Sequence, residues 1–469
     1  MPSDSRSDKR VAQCTTNSST LLLPRRGAER LPDEVLTMIF RFVRPSGRNT
    51  EDIPLQLALV CMRWREIIQR DPFFYATMTM TAYKTLERLD RCLPRSGAWP
   101  LRVAINATQS RPLAGLAFST VAGRLAPYAA RIRALTMIFD THDVVSYPNA
   151  LSMPTLESLH LSIKPPKSTP VTLDIQAPRL QTLRLYGFRP QVWSAVLSQT
   201  VHTIDLQVGF TMSAAVLKDI VLHCPNLKSL AIIAPLLSEF RVSEFEDLKP
   251  LKLEYTHFLL IDETVLAQTL QLPALAARTI PHVCATFPAS VHTGEVVTAL
   301  LDGFGDVSTI RLEERSIELL NSRAFRRELT TARQRSNEMW AFMDDLRSYG
   351  AFDTASALTL RPASWCDLAR ARRLGGEQLN VTLLLEPGDF LSYRYQWEPV
   401  KCSQLARLTL VCEDPASQTI IHEEDIEFIL EQLGQKTGDI VLDRVSMAPN
   451  KDEEFDRLMK AMGDRDVWA

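Results

Sequence analysis

Apolar positions along the chain follow two rhythms. The first lies near the N-terminus and has helical spacing. Val35, Leu36, Ile39, Phe40 and Val43 recur at intervals of three and four and form one apolar helix face. Pro32 suits the first turn, where its missing N–H would have no partner anyway, and Asp33 and Glu34 complement the helix dipole. Pro45-Ser46-Gly47 stops this helix, and Arg48 to Asp52 reads as a polar loop. Leu55, Leu57, Leu59 and Val60 are too apolar for a surface turn. A further helix is predicted from Cys61 to Gln69, carrying Trp64, Ile67 and Ile68. Asp71-Pro72 closes it, because the residue before proline avoids helical geometry. By itself this pattern also fits an ordinary small helical domain.

The second rhythm is a repeated Leu-x-x-Leu-x-Leu unit. Its central residue stands at 135, 159, 183, 204, 230 and 251, giving steps of 24, 24, 21, 26 and 21. A weaker copy centres on Arg278, and later copies on Ile310, Leu358 and Leu408. Val381 to Leu385 supplies a strand between the last two. Alternating Leu-x-Leu predicts a short strand with one buried face. One such unit cannot bury that face alone, so neighbours must stack. The segments between strands often carry helical spacing, as at Val216, Leu217, Ile220 and Val221. Met153-Pro154, Ala177-Pro178 and Cys224-Pro225 lead into the units. An ordinary α/β sheet with alternating parallel strands and helices would share the Leu-x-Leu pattern. The stretch 314–349 breaks the rhythm and is predicted as one or two amphipathic helices. Its Arg323, Arg326, Arg327, Arg333 and Arg335 read as a solvated face.

Composition narrows the function. A chain of 469 residues can hold two or more domains, and a net charge of −2 argues against a general nucleic-acid or membrane-surface role. No apolar run approaches the roughly 18–20 residues needed to cross a bilayer. Eight cysteines show no CxxC pairing and read as buried reduced thiols, pointing to cytoplasm or nucleus. Gly303-Phe304-Gly305 lacks the further glycine and lysine of a phosphate loop. His223-Cys224 and His282-Val283-Cys284 lack a second pair at zinc spacing, and no nucleophile motif appears. No catalytic residue, metal site or cofactor is expected. In Leu-x-Leu strands the intervening residue points away from the core. His160, Arg184, Lys252 and Arg311 are therefore the candidates for contacting a protein substrate.

The order Leu-Pro-x-Glu-Val-Leu-x-x-Ile-Phe, then Leu-Val-Cys-x-x-Trp-Arg, then Asp-Pro-Phe-Phe-Tyr resembles an F-box. With the repeats and the Pro100-Leu101-Arg102-Val103 strand, the chain resembles the F-box proteins with irregular leucine-rich repeats that are abundant in fungi. The resemblance implies a three-helix F-box followed by an α/β solenoid, an arc or horseshoe with parallel strands on its concave side. It implies docking on Skp1, and through it cullin, by Leu31, Pro32, Val35, Leu36, Ile39, Phe40, Val43, Val60, Cys61 and Trp64. The expected organisation is a disordered leader (1–28), the F-box (29–76), linking helices and a first strand (77–130), and the repeats (131–448) with a helical insertion at 314–349. A C-terminal helix or tail (449–469) completes it. The implied role is a non-catalytic substrate-recognition adaptor of a ubiquitin ligase. The alternative is a scaffold that binds Skp1 or other partners without ligase function.

Overall fold

The computed structural model describes residues 31–43, 52–81, 85–107, 118–140, 147–164, 171–190, 192–209, 211–234, 237–260, 262–275, 277–287, 294–331, 336–365, 368, 373–374, 378–386, 399–402, 404–414, 417, 419–435 and 439–448. The expected leader and C-terminal tail lie outside these, as do Arg333 and Arg335. The chain divides into two compact units, Met1–Tyr75 and Ala76–Ala469.

The first unit is helical, with α1 over Asp33–Phe42, α2 over Asp52–Val60 and α3 over Met62–Arg70. Pro32 occupies the N-cap position, one residue earlier than a first-turn proline, and Asp33 and Glu34 supply the negative charge that the first turn favours. The core is small: Leu36 and Phe40 of α1 meet Ile67 and Ile68 of α3, with Leu57, Trp64 and Phe74 packed around them. The Phe40 and Trp64 rings lie 4.6 Å apart, tilted by 58°. Arg41 clamps buried Asp71 through two hydrogen bonds of 2.8 and 2.9 Å. Asp71 also accepts the Phe73 N–H at 3.1 Å, so the carboxylate after α3 ties the chain's exit to α1.

The second unit is built on one sheet of 16 strands among the described residues. Along the chain these are β1 (Thr77–Thr81), β2 (Leu101–Asn106), β3 (Ile132–Asp140), β4 (Ser158–Lys164), β5 (Thr182–Tyr186), β6 (Thr203–Gln207), β7 (Ser229–Ala234) and β8 (Tyr255–Leu260). They continue as β9 (His282–Phe287), β10 (Val307–Leu312), β11 (Ser316–Asn321), β12 (Arg326–Thr331), β13 (Ala357–Leu360), β14 (Leu379–Leu385), β15 (Leu405–Cys412) and β16 (Asp439–Asp443). Neighbours in the sheet are neighbours in sequence from β1 to β9 and from β13 to β16. All of those pairs are parallel.

Register explains the repeat. Leu159, Leu183, Ile204 and Leu230 are successive partners on β4 to β7, as are Leu161, Leu185, Leu206 and Ile232. Each of these side chains is at most 1% exposed, so the alternating positions merge into one continuous core. The proline lead-ins form the turns that start each strand. The N–H of Leu156, Leu180 and Leu227 donates to the carbonyl of Met153, Ala177 and Cys224 at 3.1 Å in each case. Proline at the second position of such a turn has its φ already set. The return segments cover the core with helices, such as Ala214–His223 and Gly294–Leu301, and with short parallel strands at Tyr147–Ser152, Val171–Gln176 and Phe188–Pro190.

Four expectations need correction. The sheet begins at Thr77, so two strands, not the single one expected around Leu101, precede residue 131. The units at Leu251 and Arg278 are not strands. Leu251 and Leu253 are buried but precede β8, and Ala277–Thr279 is a 3-10 turn before β9. Their lead-in turns close at Leu248 and Leu275, eight residues before the inward Thr256 and Val283, against three in the regular units. Pro250, without an N–H, cannot serve a sheet ladder, which agrees with the later strand start.

The third correction concerns 314–349, where only Ser336–Tyr349 is a long helix. Before it, β11 and β12 form an antiparallel hairpin, and β10 pairs antiparallel with β11. The local sheet order becomes β9-β12-β11-β10-β13. Ile317 and Leu319 alternate with half-buried neighbours, a period of two that Leu320 disguised as helical spacing. The fourth is Arg327, which is fully buried. It stands beside Val283 and Leu319 where the other strands carry aliphatic side chains. Its guanidinium donates to the carbonyls of Ala277, Ile280 and Leu300 at 3.0, 2.9 and 3.1 Å and lies 4.8 Å from the Phe304 ring centroid. Burial lowers its pKa to about 10.

Candidate functional site

The helical unit cannot bury all of its apolar surface. Leu36 and Phe40 point inward, but Val35, Met38, Ile39 and Phe42 of α1 are exposed, as is Val43 just after it. So are Leu59 and Val60 at the end of α2 and Met62 at the start of α3. Phe42 is 82% exposed and Leu59 is 75% exposed, far outside what a finished core allows. On α1 the outer stripe runs through 35, 38, 39 and 42, beside the inner stripe of 36 and 40. An apolar arc this wide cannot be covered by one neighbouring helix. Exposed apolar groups gathered on a small unit mark an interaction surface. Residues 28–81 match the F-box-like family. No curated protein matches the chain.

The predicted docking residues of the F-box-like domain separate by burial. Pro32, Val35, Ile39, Val43, Val60 and Cys61 are exposed, Leu31 and Trp64 are half-buried, and Leu36 and Phe40 lie beneath the surface. The exposed Cys61 departs from the expectation of a buried thiol, whereas Cys224, Cys284, Cys402 and Cys412 are buried. Sequence reasoning missed Met38, Phe42 and Met62. The signal for the first two was their three-residue spacing from Val35 and Ile39 and their four-residue spacing from each other.

The second surface is the sheet face opposite the core. His160 and Arg184 are neighbours there, on β4 and β5. The His160 ring meets Tyr186 edge-on at 5.2 Å, and the Tyr186 hydroxyl donates to Asp205 at 2.6 Å. Burial, and then this carboxylate, push the Tyr186 phenol up to about 12. Arg184 is exposed. Arg311 lies on β10 and makes an ion pair of 2.9 Å with Glu313. Lys252 is exposed but lies in the segment before β8, so it does not join the row of strand residues. Sequence reasoning missed a polar group in the middle of this face. Arg326 bridges Glu318 and Glu328 at 3.0 Å each, and His282 approaches Glu328 at 3.4 Å. The hydrogen bond from His282, helped by Arg326, holds the Glu328 carboxyl below the usual glutamate range despite burial.

Among the described residues, no group of three or more His, Cys, Asp or Glu could hold a metal ion. No helix there is long and apolar enough to cross a membrane.

Proposed function

We propose that this chain is a substrate-recognition adaptor of a Skp1–cullin–F-box ubiquitin ligase, working in the cytoplasm or nucleus. The F-box-like domain docks on Skp1, and cullin joins through Skp1. The sheet unit is an irregular leucine-rich-repeat solenoid that holds a protein substrate, and the chain catalyses nothing itself. The observation that carries this reading is the exposed apolar surface of α1 and the α2–α3 junction, on the domain that matches the F-box-like family. Stacked parallel strands with leucines in register support the repeat reading.

The test is co-purification of the full chain with Skp1 and cullin. Val35→Asp with Ile39→Asp should remove both proteins from the eluate, because charge in a dry interface is costly when unpaired. Retention of Skp1 by that variant would refute the docking assignment. Capture of Skp1 without cullin by the unaltered chain would favour a scaffold over a ligase adaptor.

A further inference from the structure

The core is not closed at β16, the edge of the sheet among the described residues. Ile440 and Leu442 of β16 pack against the core but are only half-buried, whereas their register partners Leu408 and Leu410 on β15 are fully buried. The same step appears in the outer layer. The short strands Thr419–His422 and Val445–Ala448 pair in parallel, with Met447 beside Ile421. Ile421 is 1% exposed and Met447 is 52% exposed.

One unit earlier a helix does the covering. Glu423–Gln432 follows its short strand directly and buries Ile426, Ile429 and Leu430, with Leu433 at its C-cap. Its first turn carries Glu423, Glu424 and Asp425, and Asp425 accepts the His422 N–H at 3.2 Å. Gly434 ends it in the left-handed region, at φ 69°. Among the described residues, no helix follows Val445–Ala448.

The sequence after Ala448 repeats the pattern of that helix. Residues 451–463 align without a gap on 422–434. Phe455, Leu458, Met459 and Met462 stand where the buried Ile426, Ile429, Leu430 and Leu433 stand. Their spacing gathers them on one helix face. Asp452, Glu453 and Glu454 repeat the acids of the first turn, where negative charge favours the dipole, and Gly463 repeats Gly434. The other face differs. Phe428, which packs against the core, is replaced by Arg457, and Glu431 by Lys460. A polar outer face is what the end of a stack of repeated units requires.

We infer that residues 451–463 form a helix that closes the core beyond β16, seating Phe455, Leu458 and Met462 over Ile440, Leu442 and Met447. Only Pro449 and Asn450 separate this segment from Ala448, so it starts beside the surface it covers. The closure lies within the chain and does not depend on the adaptor reading.

The test is amide hydrogen exchange of the full-length chain, read by mass spectrometry. Residues 439–448 and 451–463 should both exchange slowly. Leu458→Asp with Met462→Asp should abolish the protection of 451–463 and speed exchange in 439–448 by about tenfold or more, while β4 to β7 keep theirs. Arg457→Gln with Lys460→Gln, on the other face, should change neither segment. If the aspartates also loosen β4 to β7, Leu458→Ala is read instead, and it should speed 439–448 more than β4 to β7. Fast exchange of 451–463 in the unaltered chain overturns the inference. So does protection of 439–448 that survives the apolar-face variants, or that the glutamine pair removes equally. Protection of 439–448 that fades as the protein is diluted would assign this flank to a second copy and overturn the inference as well.

Discussion

The two units handle the same problem in opposite ways. The sheet unit threads its leucines into one uninterrupted core, so that Leu159, Leu183, Ile204 and Leu230 are each at most 1% exposed. The F-box-like unit closes only a handful of side chains around Leu36, Phe40, Ile67 and Ile68 and, among the described residues, leaves eight large apolar residues on and just after its helices exposed. A sheet of stacked parallel strands gains core with every added strand, whereas three short helices run out of partners. The contrast leaves similar residues in different places: a leucine in the sheet is sealed in the core, while an isoleucine on α1 stays at the surface.

The comparison breaks first where cores are cut. Leu183→Ala in the sheet and Phe40→Ala in the helical unit should each cost about 2–5 kcal/mol of stability, read by denaturant unfolding. The first should disturb the sheet unit and the second only the helices. Transitions in which both variants unfold the whole chain together would show the units to be coupled.

Arg327→Met comes next. It removes a buried cation and strands the carbonyls of Ala277, Ile280 and Leu300, at about 1–3 kcal/mol for each that water cannot reach. An unchanged melting temperature would mean that the buried guanidinium costs as much to desolvate as it returns.

Ile39→Asp sharpens the comparison from the other side. Ile39 is 42% exposed, so stability should change by less than about 0.5 kcal/mol while Skp1 capture falls at least tenfold. A large loss of stability would show that Ile39 belongs to the core.

The smallest effect is a pH dependence. Glu328 has a lowered pKa in the folded protein, first through its hydrogen bond from His282. Its contribution is therefore present above the ordinary glutamate range and is lost as pH falls through the lower folded value. Glu328→Gln should flatten the acid limb of the sheet unit's stability curve slightly and leave neutral pH nearly untouched. An identical acid limb would exclude this carboxylate as a contributor.

Much of this was legible in the residues. Leu159, Leu183 and Leu230 could be placed because each follows its proline turn by three residues. The same rule failed at Leu251 and Arg278, where the strand begins five residues later than in the regular units and buried lead-ins imitate it. The hairpin of β11 and β12 was hidden because Ile317, Leu319 and Leu320 satisfy both helical and strand spacing. Arg327 could not be found in the core, since only its neighbours' carbonyls make an arginine acceptable there. On α1, Ile39 and Phe40 share one apolar arc in sequence. Only the placement of α3 decides that Phe40 turns inward and Ile39 outward.

The reversed order β9-β12-β11-β10-β13 has a consequence in time rather than in space. Strands β1 to β9 can dock one after another as a nascent chain lengthens, each finding its partner already in place. The next strand to emerge, β10, is not the neighbour of β9. That edge stays open until Arg326–Thr331 has been made, 44 residues after the start of β9 at His282. Pairing at such separation is slow compared with a hairpin, and an unpaired edge invites the wrong partner. The hairpin is then the seam at which two separately grown halves of the sheet are joined, and a ribosome pausing before it leaves the protein half sewn.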